Sequence, residues 1–159
     1  MENRTVGVSI EADHRFVRVV RLVASGVASI MGVDVDAVDD LRIAVDEGCT
    51  WLLNHGDGSA LDVQFRWGEG SPLEVIGETG AGPKAVGEAN VDRLVEAILA
   101  ASCAAHHVEF ADGRVRFRLL ARTEGADDDA ADASEASDGV EAATADASDN
   151  ASWPPEPVG

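Results

Sequence analysis

The 159-residue chain has no tyrosine, only 4% aromatic residues and two cysteines. A core poor in rings must be filled by Val, Leu, Ile and Ala, and the 45% hydrophobic fraction supplies them. The two thiols, Cys49 and Cys103, lie far apart in apolar runs and form no CxxC pair. They are expected as small buried residues in a reducing compartment, neither bridged nor holding a metal. Long hydrophobic runs are missing as well. The longest uncharged stretch, Leu22 to Val33, is too short to cross a bilayer as a helix. Met1 to Arg4 leads into charged, alternating sequence, so no signal peptide is expected and the expected location is the cytoplasm.

Positive charge is scarce: 12 Lys plus Arg stand against 30 Asp plus Glu, a net charge of −18. A generic nucleic-acid binder is thereby excluded, because such binding rests on Lys and Arg neutralising phosphates. Anionic membrane surfaces are excluded on the same ground. The imbalance is uneven. Residues 124–159 hold eleven acids and no base, which leaves 12 − 19 = −7 for the rest. That segment is Ala, Asp, Ser, Glu and Gly ending in a Pro-rich stub with Trp153, too poor in apolar residues to form a core. Two regions are expected: a folded domain over residues 1–123 and an acidic disordered tail over residues 124–159.

What is present within the domain is periodic. Val6, Val8 and Ile10 alternate as in a half-buried strand. Asp13 can cap a helix carrying Phe16, Val19, Val20, Val23 and Val27, which Gly32 ends. A second helix starts near Asp34 or Asp36, presents Val38, Leu41, Val45, Cys49 and Leu52, and stops at His55-Gly56. Leu61 to Trp67 alternates as a strand, with a return strand over 73–76 and a glycine-rich loop over 77–89. Asn90 can cap a third helix carrying Leu94, Val95, Ile98 and Leu99, and Asp112-Gly113 turns a final hairpin. The order β-α-α-β-β-α-β-β predicts an α+β fold: a two-layer sandwich with helices on one face of a mixed, mainly antiparallel sheet.

The most informative stretch is Asp39-Asp40-Leu41-Arg42-Ile43-Ala44-Val45-Asp46-Glu47-Gly48-Cys49-Thr50, continued by Trp51 to Gly56. It resembles the signature helix of the anti-sigma factor serine kinases, the RsbW-like branch of the GHKL (histidine-kinase-like) ATPases. The resemblance covers residues 5–122 in topology and is specific over residues 22–56 and 73–82. It implies a Bergerat-type ATP-binding fold with nucleotide held between helices and sheet. It also implies an alternative sigma factor and a STAS-type antagonist as partners in a partner-switching circuit, and often a homodimer.

Residue by residue, the resemblance gives Glu47 the place of the general base that acts on a substrate serine. A carboxylate suits that role, since phosphoryl transfer needs proton acceptance and positioning. One turn later the family has an Mg²⁺-binding Asn, and this chain has Trp51, whose indole offers one N–H and no oxygen. Asn54 is the nearby amide that could approach. Glu78-Thr79-Gly80-Ala81-Gly82 takes the place of the adenine-reading Asp-x-Gly-x-Gly motif, with Glu for Asp. The glycine-rich phosphate cradle is thin, reduced to Gly87, and a supporting Thr is absent at Asp112 to Val115.

The expectation is an anti-sigma regulatory factor with ATP or ADP binding possible and Mg²⁺ use degraded or lost. The alternative is an active serine kinase that phosphorylates the antagonist, and a scaffold of the same fold is a third. Arg15, Arg18 and Arg21 form a basic strip on the first helix, read either as a docking surface for an acidic partner or as a solvated face. Arg114, Arg116 and Arg118 line one face of the last strand. His106-His107 has no ligand pattern around it.

Overall fold

The computed structural model describes residues 3–86 and 92–122. Strand β1 (Arg4–Ile10) leads into helices α1 (His14–Met31) and α2 (Val35–His55). Strands β2 (Leu61–Trp67) and β3 (Glu74–Gly80) follow, then a short 3₁₀ turn over Pro83–Val86. Helix α3 (Arg93–Ser102) and strands β4 (Ala105–Ala111) and β5 (Arg114–Leu120) complete the described chain. The strands form one sheet in the order β1-β2-β3-β5-β4.

Each boundary has a local cause. The Asp13 carboxylate accepts from the Arg15 amide at 2.8 Å and opens α1, and Gly32 closes it in the left-handed conformation (φ 73°). Asp112 and Gly113 both take positive φ, which fits the tight turn that joins β4 to β5. Four details differ from expectation. Every strand pairing is antiparallel, because each neighbouring pair in the sheet runs in opposite senses. β3 continues through Gly80 rather than ending at Ile76, since residues 74–80 pair with β5 along their whole length. Gly56 follows α2 in an extended conformation (φ −75°), so it is not a left-handed cap. The first described residue before α3 is Asp92, whose carboxylate accepts from the Leu94 amide at 2.9 Å and caps the helix, while Asn90 lies outside the described residues. The acidic segment 124–159 also lies outside them.

The pleat sorts side chains between two environments. On the helix-covered face, Leu61, Val63 and Phe65 of β2 meet Val75 and Thr79 of β3, and Val115, Phe117 and Leu119 of β5, all buried. Leu41, Val45, Cys49 and Leu52 of α2 and Val17, Val20, Ala24 and Val27 of α1 close over them. Both cysteines are buried, and burial pushes the Cys49 thiol up to about 12 and the Cys103 thiol up to about 11. The opposite face of the sheet carries no described helix.

Candidate functional site

The C-terminal half of α2 is where the expected chemistry should gather. Glu47, Trp51 and His55 are four residues apart and share one stripe of the helix. Glu47 is half-buried, and no described residue forms a hydrogen bond or ion pair with its carboxylate. Trp51 is 3% exposed and belongs to the core. Its ring lies 4.8 Å from that of His55 and 5.3 Å, edge-on, from that of Phe110 on β4. His55 and Phe110 close the triangle at 6.0 Å. The His55 Nδ1–H donates to the Trp51 carbonyl at 2.8 Å, which locks the imidazole onto its own helix. Trp51 Nε1 is buried with no hydrogen-bond partner among the described residues, a cost the aromatic packing must offset. Asn54 is exposed and stands beside this stripe rather than in it.

Glu78 is on the other side of the sheet. Its cross-strand neighbours are Asp62 and Arg116, all on the face without helices. Its two carboxylate oxygens accept from Arg114 at 3.1 Å and from Arg116 at 2.9 Å. Arg116 also donates to Glu109 at 2.7 Å, and these two carboxylates hold its guanidinium pKa above the ordinary value. The expected approach of Glu78 to a pocket between helices and sheet is therefore not made. Strand parity is the reason: Val75, Gly77 and Thr79 face the helices, so Glu78 must face away.

Gly80 and Gly82 are consumed by a backbone clasp. The Gly82 amide donates to the His55 carbonyl at 2.8 Å, the Asp57 amide to the Gly80 carbonyl at 2.9 Å, and the Ala81 amide to the Gly113 carbonyl at 2.9 Å. A Cβ at Gly82 would collide with the Gly56 carbonyl, and one at Gly80 with the Asp57 carboxylate. Ser59 completes the joint. Its hydroxyl meets Thr79 Oγ1 at 3.1 Å, and hydrogen bonds from its hydroxyl and amide lower the Asp57 carboxyl from its ordinary value. Close approach of chain to chain thus accounts for both glycines. Gly87, the remnant of the phosphate cradle, lies outside the described residues.

The group implied by the resemblance can be tested against these residues. A hard cation needs oxygen ligands, and the stripe offers indole and a half-buried carboxylate separated by one helical turn. Among the described residues, no group of three or more His, Cys, Asp or Glu could hold a metal ion. At the position that the resemblance assigns to the Mg²⁺-binding amide, the buried indole of Trp51 supplies no oxygen to a cation.

The basic strip on α1 is partly neutralised. Arg15 pairs with Asp13 at 2.6 Å and Arg21 with Asp46 of α2 at 3.3 Å, whereas Arg18 is exposed with no ion pair to a described residue. Arg15 and Arg18 therefore project at the N-terminal end, and Arg21 is tied to the helix pair. Sequence reasoning missed the roles of His55 and Phe110. The i, i+4 spacing of Trp51 and His55 was a legible signal, but Phe110 is brought in only by the sheet.

No helix among the described residues is long and apolar enough to cross a membrane. No protein-family model matches the chain. It is similar to the serine-protein kinase RsbW of Halalkalibacterium halodurans, 35% identical over 74 residues that make up 45% of each chain. The RsbW of Bacillus velezensis is 42% identical over 65 residues, 40% of this chain and 41% of that one. That of Bacillus subtilis is 42% identical over 50 residues, 31% of each. The matched regions span less than half the length of these curated relatives. They agree with the resemblance read from residues 39–56. Among solved structures, the crystal structure of the SiaB–SiaC complex from Pseudomonas aeruginosa contains a similar fold, with a TM-score of 0.51. The sequences are 13% identical, and the match covers 73% of this chain and 88% of that one. It supports the two-layer architecture alone.

Proposed function

We propose that this protein is an anti-sigma regulatory factor that binds an alternative sigma factor and a STAS-type antagonist, acting as a homodimer, with ATP and Mg²⁺ use degraded or lost. The observation that supports the reading is α2: a helix whose sequence resembles that of the RsbW-like kinases, with the buried, aromatic-packed Trp51 where the resemblance expects a metal-binding amide. Capture needs a surface rather than a reaction, and Arg18, exposed with no ion pair to a described residue, offers an acidic partner a basic contact on α1. The expected setting is the cytoplasm, where sigma factors act. Incubation with ATP, Mg²⁺ and a STAS-domain antagonist is expected to leave the antagonist's mass unchanged while the two proteins co-purify. Serine phosphorylation that is abolished by Glu47→Ala would sink the non-catalytic part of the reading. If neither a sigma factor nor an antagonist is retained, the protein is a scaffold of the same fold.

A second reading has one specific support. Glu47 keeps a half-buried carboxylate with no partner among the described residues, at the position of the family's general base. On that reading the protein is an ATP-dependent serine kinase whose nucleotide is held without Glu78 and whose metal is not held by residue 51. Nucleotide binding with an absolute requirement for Mg²⁺ would favour it.

A further inference from the structure

The arginines on the open face of the sheet are unequally matched. Arg114 and Arg116 are paired with Glu78, and Arg116 also with Glu109. Arg118, two residues further along β5 on the same face, forms no ion pair or side-chain hydrogen bond with a described residue. Its Nε–H is nonetheless buried, with no acceptor among the described residues. Arg114 Nε shares that condition, but its Nη2 is matched by Glu78. A buried guanidinium donor left unmatched by protein is costly, and in native proteins such a group ordinarily faces a water or an ion.

The cross-strand register shows what Arg118 faces. Gln64 of β2, Ile76 of β3 and Arg118 of β5 stand in one row, with the buried Ile76 in the middle. Two strand spacings put the backbones of Gln64 and Arg118 about 10 Å apart, so both side chains can reach over Ile76 to a common point. A cavity of about 250 Å³ lies there, lined by these three residues with Arg66 and Arg116. Arg66 Nε and Nη2 donate to Gln64 Oε1 at 3.1 and 2.6 Å, which leaves the Gln64 amide NH₂ and Arg66 Nη1 as donors. Asp62 and Glu78 also line the cavity, and Glu78 is already matched by two guanidiniums. A second cavity of about 450 Å³ shares Gln64 and Arg66 with the first and reaches the β2–β3 turn. Its walls differ: Asn3, Thr5 and Ser71 bring an amide and two hydroxyls, Trp67 a ring, and Glu74 a carboxylate.

From this geometry we infer that the open face of the sheet binds a phosphate monoester of a small polyol, with the phosphate over Ile76 and the hydroxyls in the second cavity. Guanidinium forks match phosphate oxygens with paired, charge-assisted N–H donors. Here the donors approach from both sides of Ile76, and a tetrahedral phosphate can accept from both at once, whereas a planar carboxylate satisfies one fork. Asp62, whose carboxylate has no partner among the described residues, accepts from a phosphate oxygen that still carries its proton. Glu74 in the second cavity repels a second anionic group and accepts from hydroxyls, so the ligand carries one phosphate and no polyphosphate chain. The two cavities together suit a ligand of metabolite size. The site lies on the side of the sheet opposite Glu47 and Trp51, and it goes beyond the regulatory reading of α2 without resting on it.

The test is a titration of the full chain with ribose 5-phosphate, without ATP or Mg²⁺, followed by proton–nitrogen correlation spectra that resolve arginine Nε–H groups. Saturable shifts at the Arg118 Nε–H and at the Gln64 and Ile76 amides are expected, with a Kd of about 1 mM or tighter. Inorganic phosphate should give the same shifts at least about fivefold more weakly, and ribose alone should give none. Arg118→Gln should weaken ribose 5-phosphate at least about tenfold without lowering the thermal midpoint. Thr5→Val, at an exposed position in the second cavity, should weaken ribose 5-phosphate and leave inorganic phosphate unchanged. Arg18→Gln on α1 should change neither. No saturable shift up to about 10 mM overturns the inference. So does binding that survives Arg118→Gln, or shifts confined to α2. Inorganic phosphate that binds as tightly as ribose 5-phosphate overturns the polyol part. No sigma factor, antagonist or nucleotide enters the titration, so its failure leaves the regulatory reading standing.

Discussion

On the helix-covered face of the sheet, Val63, Phe65, Val75, Val115 and Phe117 are buried hydrocarbon; on the open face, directly behind them, Glu78, Glu109, Arg114 and Arg116 form an ion-pair network. Strands β3 and β5 contribute to both. One residue's shift in register would exchange them, so the apolar rows fix the parity of every polar one. The difference explains why Glu78 does not meet α2: its position follows from where Val75 and Phe117 must go. Motif spacing along a strand says which residues share a face, but packing decides which face it is.

This contrast can be broken from either side. The largest effect is expected from Phe117→Ala, which empties the centre of the covered face and should cost about 3–5 kcal/mol in denaturant unfolding. A cost below about 1 kcal/mol would mean that the two faces are not as different as described. Gly82→Ala comes next, at about 1–3 kcal/mol in nucleotide-free protein, because the added methyl meets the Gly56 carbonyl in the clasp. Were Gly82 kept only to admit a nucleotide, the free protein would not notice the change. Glu78→Ala should cost only about 1 kcal/mol, since its ion pairs are partly solvent-exposed, and the loss should shrink in high salt. The smallest effect concerns the thiols. With Cys49 pushed up to about 12 and Cys103 to about 11, both should react with a thiol reagent at pH 8 only after unfolding. Because the folded pKa values lie above the ordinary value of 9.0, their stabilising contribution is full below pH 9 and fades as pH rises toward 11–12.

Much of the fold could be read directly from residue patterns. The alternation of Leu61, Val63 and Phe65, the helical spacing on α1 and α2, and the Asp13, Gly32 and Asp112-Gly113 signals are local, and each has its counterpart in the structure. The extension of β3 to Gly80 was not legible, because glycine-rich sequence signals a loop until a neighbouring strand pairs with it. The candidate site was less accessible still. Glu47 and Trp51 could be placed on one helical stripe from spacing, yet Phe110 reaches them only through long-range sheet pairing. The two glycines of the Glu78 motif could be seen, but their service to the α2 terminus depends on contacts between residues 23 and 27 positions apart. Arg21 likewise looked like its neighbours Arg15 and Arg18 until Asp46 of α2 claimed it.

Trp51 and His55 of α2, with Phe110 of β4, fill the end of α2, and we propose that this packing excludes a metal-bound nucleotide. Titration calorimetry of ATP into the full chain, with and without Mg²⁺, tests it most directly. No saturable heat that depends on Mg²⁺ is expected. Saturable binding that appears only with Mg²⁺ and disappears on chelation would contradict it.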